Sequence, residues 1–376
     1  MGKKRFRPRG GGSFFGELIY QRAVSQDHFL RQLDEVVDWD GLMEKLVPYY
    51  KGGAQYGPPP YEPALLLKML LLAYLYNLSE RQVEELSNDS LSAKCFLGLS
   101  ADERAPDHST LSLFKERLLA GQGLGAYKEL LGEVVRLAQE KGIVLGRVQL
   151  VDSVHTLADV STSKDEGRQE KGEGPRDPDA RWGAKGKKQG RTQYFYGYKQ
   201  HVSLDAETGL ITSVYHSDGS AYDGRYLMGL IEHDLEQGIP IEVVAADRGY
   251  DDGENHYFLE VNGIGDAVCL KGYRTQKKNP NKDGWLALRQ STAYQEGQRV
   301  RYKIERKFGE MKTRHGFGRC RYVGLLRYAI QGYLTAVVVN LKRIIKLLFG
   351  VSLRNQGYPL PDRRCSLAVA TYLTGA

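Results

Sequence analysis

The chain has 376 residues, 41% hydrophobic and 26% charged, enough to bury one or two substantial cores, which excludes a disordered tail or a disulfide-stapled miniprotein. Lys and Arg number 53 against 46 Asp and Glu, and the resulting charge of +7 favours a polyanionic partner only once the charges are located. Four cysteines, Cys95, Cys269, Cys320 and Cys365, lie far apart with no C-x-x-C pair, which argues against a zinc knuckle and suits a reducing cytoplasm.

Residues 1–13 read as a basic arm, with Lys3, Lys4, Arg5, Arg7 and Arg9 ahead of the first acid, Glu17, and without the apolar segment of a secretory signal. The arm is a solubilising tail or a phosphate contact. Residues 14–140 read as a helical domain, with Phe29, Leu33, Val36 and Val37 at 3.6-like spacing and a Pro58-Pro59-Pro60 break. A buried helix is predicted over Ala64 to Tyr76, a capping box at Ser79 to Gln82, and a cap at Asp107 ahead of Leu111 to Leu119. Short helices joined by polar turns suit a DNA reader or a plain dimerisation domain, and the pattern leaves both open. The apolar stretches Leu65 to Leu78 and Leu334 to Phe349 are too short or too charged for a bilayer, where roughly 20 apolar residues are needed.

From residue 141 to 349 the texture changes to period 2. A strand over Val148 to Asp152 runs on to His155, a polar Gly-rich insertion over 161–190 reads as flexible, and strands follow at Gln193 to Leu204 and Leu210 to His216. A helix over Arg225 to Gln237, a strand over Ile241 to Ala246, a helix over Gly253 to Val261, a short strand over Ala267 to Leu270 and long helices from about Val300 complete a mixed α/β sheet with helices on its faces. Residues 350–376 read as an appendage.

Asp152 and Asp247 end apolar strands, where open α/β sheets present ligand-binding groups. A lone strand-end Asp is usually a turn former, but two side by side repel unless a divalent cation lies between them. At about 100° per residue Arg301, Glu305 and Lys312 share one helix edge beside the stripe Ile304, Phe308 and Met311, so Glu305 is a candidate third oxygen donor while Arg301 and Lys312 face a phosphate. Ordinary solvated pairs are the alternative, but Arg299 to Arg327 carries ten Lys or Arg against Glu305 and Glu310 alone. A second basic run, Arg181, Lys185, Lys187, Lys188, Arg191 and Lys199, is interleaved with Trp182, Tyr194, Phe195, Tyr196 and Tyr198, and Lys271, Arg274, Lys277, Lys278 and Lys282 make a third.

Val151-Asp152-Ser153, Gly197-Tyr198-Lys199-Gln200-His201, Ala246-Asp247-Arg248-Gly249-Tyr250 and the Arg301, Glu305, Lys312 spacing, in that order, resemble a bacterial insertion-sequence transposase of the DDE type. The block with Pro106-Asp107-His108-Ser109-Thr110-Leu111 and Phe114 is similar to the N-terminal domain that accompanies it. The resemblance implies an RNase H-like mixed five-stranded sheet in which Asp152, Asp247 and Glu305 hold two Mg²⁺ ions, with Mn²⁺ also suited to an all-oxygen site. It implies cleavage at terminal inverted repeats of double-stranded DNA, joining of the 3′-OH to target DNA, a homodimer or higher oligomer, and a bacterial, nucleoid-associated protein. Arg301, Lys312, Lys199, His201, Arg248, Lys185, Lys187, Lys188, Arg191, Arg306 and Arg314 are the candidate DNA contacts. Gln298 stands where relatives carry Tyr, which puts hairpin cleavage in doubt, and Asp223 is a candidate auxiliary acid. A nuclease of the same fold without strand transfer, or an inactive DNA-binding regulator, is the alternative.

Overall fold

The computed structural model describes residue 6 and residues 14–49, 60–188 and 190–353. The basic arm apart from Phe6, Pro58-Pro59, and residues 354–376 with Cys365 lie outside the described residues.

Helices α1 (Phe14–Ala23), α2 (Phe29–Val36), α3 (Trp39–Leu46), α4 (Pro63–Leu75), α5 (Glu80–Asp89), α6 (Leu91–Leu97), α7 (His108–Gln122) and α8 (Gly125–Glu140) precede the sheet. Their starts follow local chemistry. Asp38 accepts from the backbone N–H of Gly41, Ser79 and Gln82 close a reciprocal capping box, and Asp107 accepts from Thr110 N at 2.8 Å. Pro63 opens α4, whose residues are buried on all sides except at Leu65 because α5, α7 and α15 cover it. The charge of Lys68 is accommodated there by Asp34 Oδ1 at 2.5 Å, the Phe96 carbonyl at 2.9 Å and the Trp39 ring.

The remaining elements are β1 (Val148–Leu157), α9 (Thr162–Glu170), β2 (Arg181–Lys188), β3 (Arg191–Asp205), β4 (Ile211–Asp218), α10 (Leu227–Glu236), β5 (Val243–Ala246), α11 (Gly253–Val261), β6 (Gly265–Val268), α12 (Lys282–Gln290), α13 (Thr292–Val300), α14 (Tyr302–Arg314) and α15 (Leu325–Phe349). β3 runs antiparallel to β1, β2 and β4, while β1, β5 and β6 are parallel neighbours. The order β4-β3-β1-β5-β6, antiparallel on one side and parallel on the other, is RNase H-like.

Two expectations are corrected. The sheet has six strands rather than five, and the 161–190 insertion is structured, carrying α9 and β2. Period-2 alternation is hidden in β2 because Gly183 backs onto the Gly219 carbonyl with no room for a Cβ, and a bulge interrupts the pairing between Ala184 and Lys187.

α10 and α11 cover one sheet face through Val151, Leu230, Val244, Tyr250 and Leu259. On the other face α13, α14 and α15 pack, and one continuous core joins Leu150, Val202 and Ala245 to the N-terminal helices through α15. Asn340 of α15 is buried without penalty because it exchanges hydrogen bonds with both backbone groups of Ile211 at 2.8 and 2.7 Å. No described helix is long and apolar enough to cross a membrane.

Candidate active site

The parallel register sets Val151 opposite Ala246, so Asp152, midway along β1 and still paired with Val202 of β3, and Asp247, the residue after β5, lie side by side where the β1–β5 pairing stops. Strand alternation puts Asp152 on the face of Val148 and Leu150, and Asp247 on the face of Val243 and Ala245. This is the face that α14 packs against through Ile304, Phe308 and Met311.

Burial and the Asp247 carboxylate push Asp152 up to about 7, against the pull of the Ser153 N–H and of Arg301. Asp247 is also raised, by burial and by Asp223, although its Oδ1 accepts from Gly249 N at 2.7 Å. Arg301 ties the third acid to the pair: one guanidinium nitrogen lies 3.1 Å from Glu305 Oε1 and another 3.9 Å from Asp152 Oδ2. Glu305 itself is 56% exposed and turned to Arg301. As placed, no three His, Cys, Asp or Glu side chains among the described residues converge closely enough to hold a metal.

Asp223 completes the acidic cluster. It is fixed by Lys199, whose ammonium donates to Asp223 Oδ1 at 2.9 Å and to the Ala221 carbonyl at 2.8 Å, and its charge raises Asp152 and Asp247. Tyr250, fully buried, is held well above its ordinary value by burial and by Asp152, Asp223 and Asp247. On the other flank Lys312 Nζ lies 3.2 Å from His155 Nε2, and burial together with Lys185 lowers it to about 8. The same surroundings lower His155 to about 4, so it is neutral.

Residues 148–341 match the transposase DDE domain family, and residues 18–117 match a second family described as a transposase domain. The chain belongs to the transposase DDE domain family. Solved structures similar to it include the Mos1 transposase paired-end complex with left transposon end (12% identity, 71% of this chain and 83% of that chain, TM-score 0.20). A Mos1 mariner paired end complex with Mn (13%, 72% and 83%, 0.20) and a pre-cleavage Mos1 transpososome (12%, 79% and 82%, 0.19) are also similar. At these TM-scores the fold rests on the strand order alone.

Within this DDE domain the candidate DNA contacts separate. Arg301 borders the acids, Lys312 lies two helical turns on from Glu305 against His155, exposed Arg248 follows Asp247 directly, and exposed Lys185 acts on Lys312. Arg191 is exposed at the start of β3, and the side chains of Lys187 and Lys188 lie outside the described residues. Two expectations change. His201 is fully buried, bonded through Nε2 to Ser217 Oγ at 2.9 Å and stacked on Tyr226 at 3.8 Å, so it is a core residue kept neutral by burial and closed to DNA. Lys199 is committed to Asp223. Arg306 and Arg314 lie round the helix from Arg301 and Glu305, lining a different cleft. In the third basic run, Lys271 and Arg274 are structural: Arg274 Nε donates to the Asp251 carboxylate at 3.0 Å and Lys271 Nζ to the Asp251 carbonyl at 2.8 Å, fastening the turn that follows Asp247.

Gln298 has its own partners. Its amide donates to the carbonyls of Ala246 at 3.4 Å and Ala267 at 2.6 Å, closing the ends of β5 and β6. Tyr250 and His155 are site neighbours that the sequence does not mark. The Asp247-Arg248-Gly249-Tyr250 run is the available signal for the first, and for the second there is none beyond strand parity with Ser153.

Proposed function

We propose that this protein is a DNA transposase that cuts phosphodiester bonds at the ends of an insertion sequence and joins the freed 3′-OH to target DNA. The observation that carries the reading is the pair Asp152 and Asp247, abreast where parallel β1 and β5 stop pairing, with Arg301 at the N-terminus of α14 and Glu305 in its first turn on the same face. Two mutually repelling, largely buried carboxylates form an anion-rich, all-oxygen donor set, which fits Mg²⁺ or Mn²⁺. Asp152, Asp247 and Glu305 would hold two such ions, Glu305 by swinging away from Arg301. When bound, the ions supply activation of the attacking oxygen and charge stabilisation at the leaving oxygen of an in-line displacement.

The chain's own residues do the rest. Arg301, released from Glu305, and Lys312 bind a phosphate of the strand to be cut, with Arg248 and Lys185 on either side. Neutral His155 keeps Lys312 in place without adding charge, and Lys199 holds Asp223 as an auxiliary acid. Double-stranded terminal repeats, target DNA and at least two copies of the chain are the implied partners. With Gln298 committed to strand-end carbonyls, no hydroxyl stands where a hairpin-forming route would use Tyr.

The test is a labelled terminal-repeat duplex with Mg²⁺. Asp152→Ala, Asp247→Ala and Glu305→Ala should each lower nicking by at least a hundredfold while sparing binding. Full activity in any one removes that residue from the site. Strand transfer of a pre-cut end into plasmid separates a transposase from a nuclease of the same fold, and binding without cleavage by the wild type would leave only a regulator.

A further inference from the structure

α14 has a second working face. At about 100° per residue, Lys303, Arg306, Lys307, Glu310 and Arg314 cluster roughly half a turn from the Arg301, Glu305 and Lys312 edge. They form one wall of a cleft of about 760 Å³, closed by the end of α4, the β3–β4 turn and α15. Seven Lys or Arg line it against Glu207 and Glu310.

Charge in the cleft is unbalanced. Lys307, nine-tenths buried, and Lys342 share one carboxylate, Glu310, at 3.4 and 2.8 Å. Despite its burial Glu310 is held down to about 2 by those two cations, and Lys307 is lowered by burial and by Arg343 and Lys342. Lys303 and Arg343 donate to the carbonyls of Ala206 and Thr208, fixing the turn that forms the floor. Exposed Arg306 and Lys346 stand at the rim. Packing surplus cations around one carboxylate is costly unless an anion arrives to offset them. The basic wall from Lys303 to Arg314 extends roughly 16 Å along the helix, too long for one phosphate and suited to successive phosphates of a strand.

We propose that this cleft is a second docking site for the phosphodiester backbone of DNA, on the side of α14 opposite the acids. The assignment rests on the transposase reading above. Binding is measured by fluorescence anisotropy on the full chain with a labelled DNA duplex in EDTA, so that no cleavage intervenes. Arg306→Glu/Lys346→Glu, both at exposed positions, should weaken affinity at least tenfold at 150 mM salt and flatten the slope of log K against log salt by about 0.9 for each phosphate no longer neutralised. Lysine acetylation read by mass spectrometry needs no variant: saturating DNA should protect exposed Lys346 of the wild type. Unchanged affinity and slope in a double variant that melts like the wild type, or no protection of Lys346, overturns the cleft while leaving the acidic site intact. Equal protection by inorganic phosphate at matched ionic strength assigns the cleft to a small anion and also overturns the proposal. A wild type that binds no DNA removes the transposase reading itself.

Discussion

Asp152 carries a stored electrostatic cost, set by its burial and by the Asp247 carboxylate beside it. Its proton affinity in the folded chain, near 7, lies above the roughly 3.9 of an unfolded Asp, so between those values the native state binds more protons than the unfolded state. Stability from this group is therefore full below about pH 4 and is lost as pH rises through 7. Without metal, Asp152→Asn should melt higher than the wild type at pH 8, by on the order of 4 kcal/mol at most, with the gap shrinking as pH falls and closing only near pH 4. Mg²⁺ should narrow the gap from the other side, because the wild type gains a ligand-linked stabilisation that the variant loses. Equal melting curves for the two at pH 8 in EDTA would show that the pair is not strained. Asp152 and Asp247 are legible in the sequence because an acid ending an apolar run is a local pattern. Tyr250 is marked only by the Asp247-Arg248-Gly249-Tyr250 run, and the role of His155 and the buried state of His201 are not legible, because they depend on Lys312 of α14 and on Tyr226 and Ser217, which only the fold brings against them.

The helices α13 and α14 convert that pair into a site, and their placement depends on a close approach. A Cβ at Gly297 would stand 2.5 Å from the Ala267 Cβ and 2.9 Å from the Ala245 Cβ, both on strands that cannot yield. Gly297→Ala should therefore cost about 1 to 3 kcal/mol by overpacking, the opposite of the usual gain from Gly to Ala within a helix. Thermal melting decides the sign, and a stabilised variant would mean that α13 does not seat on β5 and β6 as described. The same lift would loosen Gln298 from the strand-end carbonyls and displace Arg301, which follows three residues later. Helical periodicity makes the Arg301, Glu305 and Lys312 edge readable from spacing alone. It does not assign Arg306 and Arg314, since knowing that they lie round the helix says nothing of the cleft built there by α4, α15 and the β3–β4 turn. β2 is hidden for the converse reason: Gly183 serves a close backbone approach, Gly186 takes a positive φ within the bulge, and together they erase the alternation that marks a strand.

At the scale of the whole molecule, the change from period 3.6 to period 2 near residue 141 suggests separate helical and catalytic domains, yet α15 runs through a core shared by both. The change in texture records the switch from helix to strand; it cannot record that a helix 200 residues later will pack on both parts. A shared core predicts shared unfolding. Leu71, fully buried in α4, lies far from the acids in sequence, and Leu71→Ala should remove about 2 to 5 kcal/mol by leaving a cavity. If the core is one cooperative unit, that loss appears everywhere. Hydrogen exchange in β1 and β5 should accelerate together with exchange in α4, calorimetry should show a single transition at a lower temperature, and Mg²⁺ bound at the sheet should raise the melting of the helical block as much as that of the strands. A variant whose α4 exchanges freely while β5 keeps wild-type protection, or a melting curve that splits in two, would instead make the helical block an independent module hinged on the DDE domain.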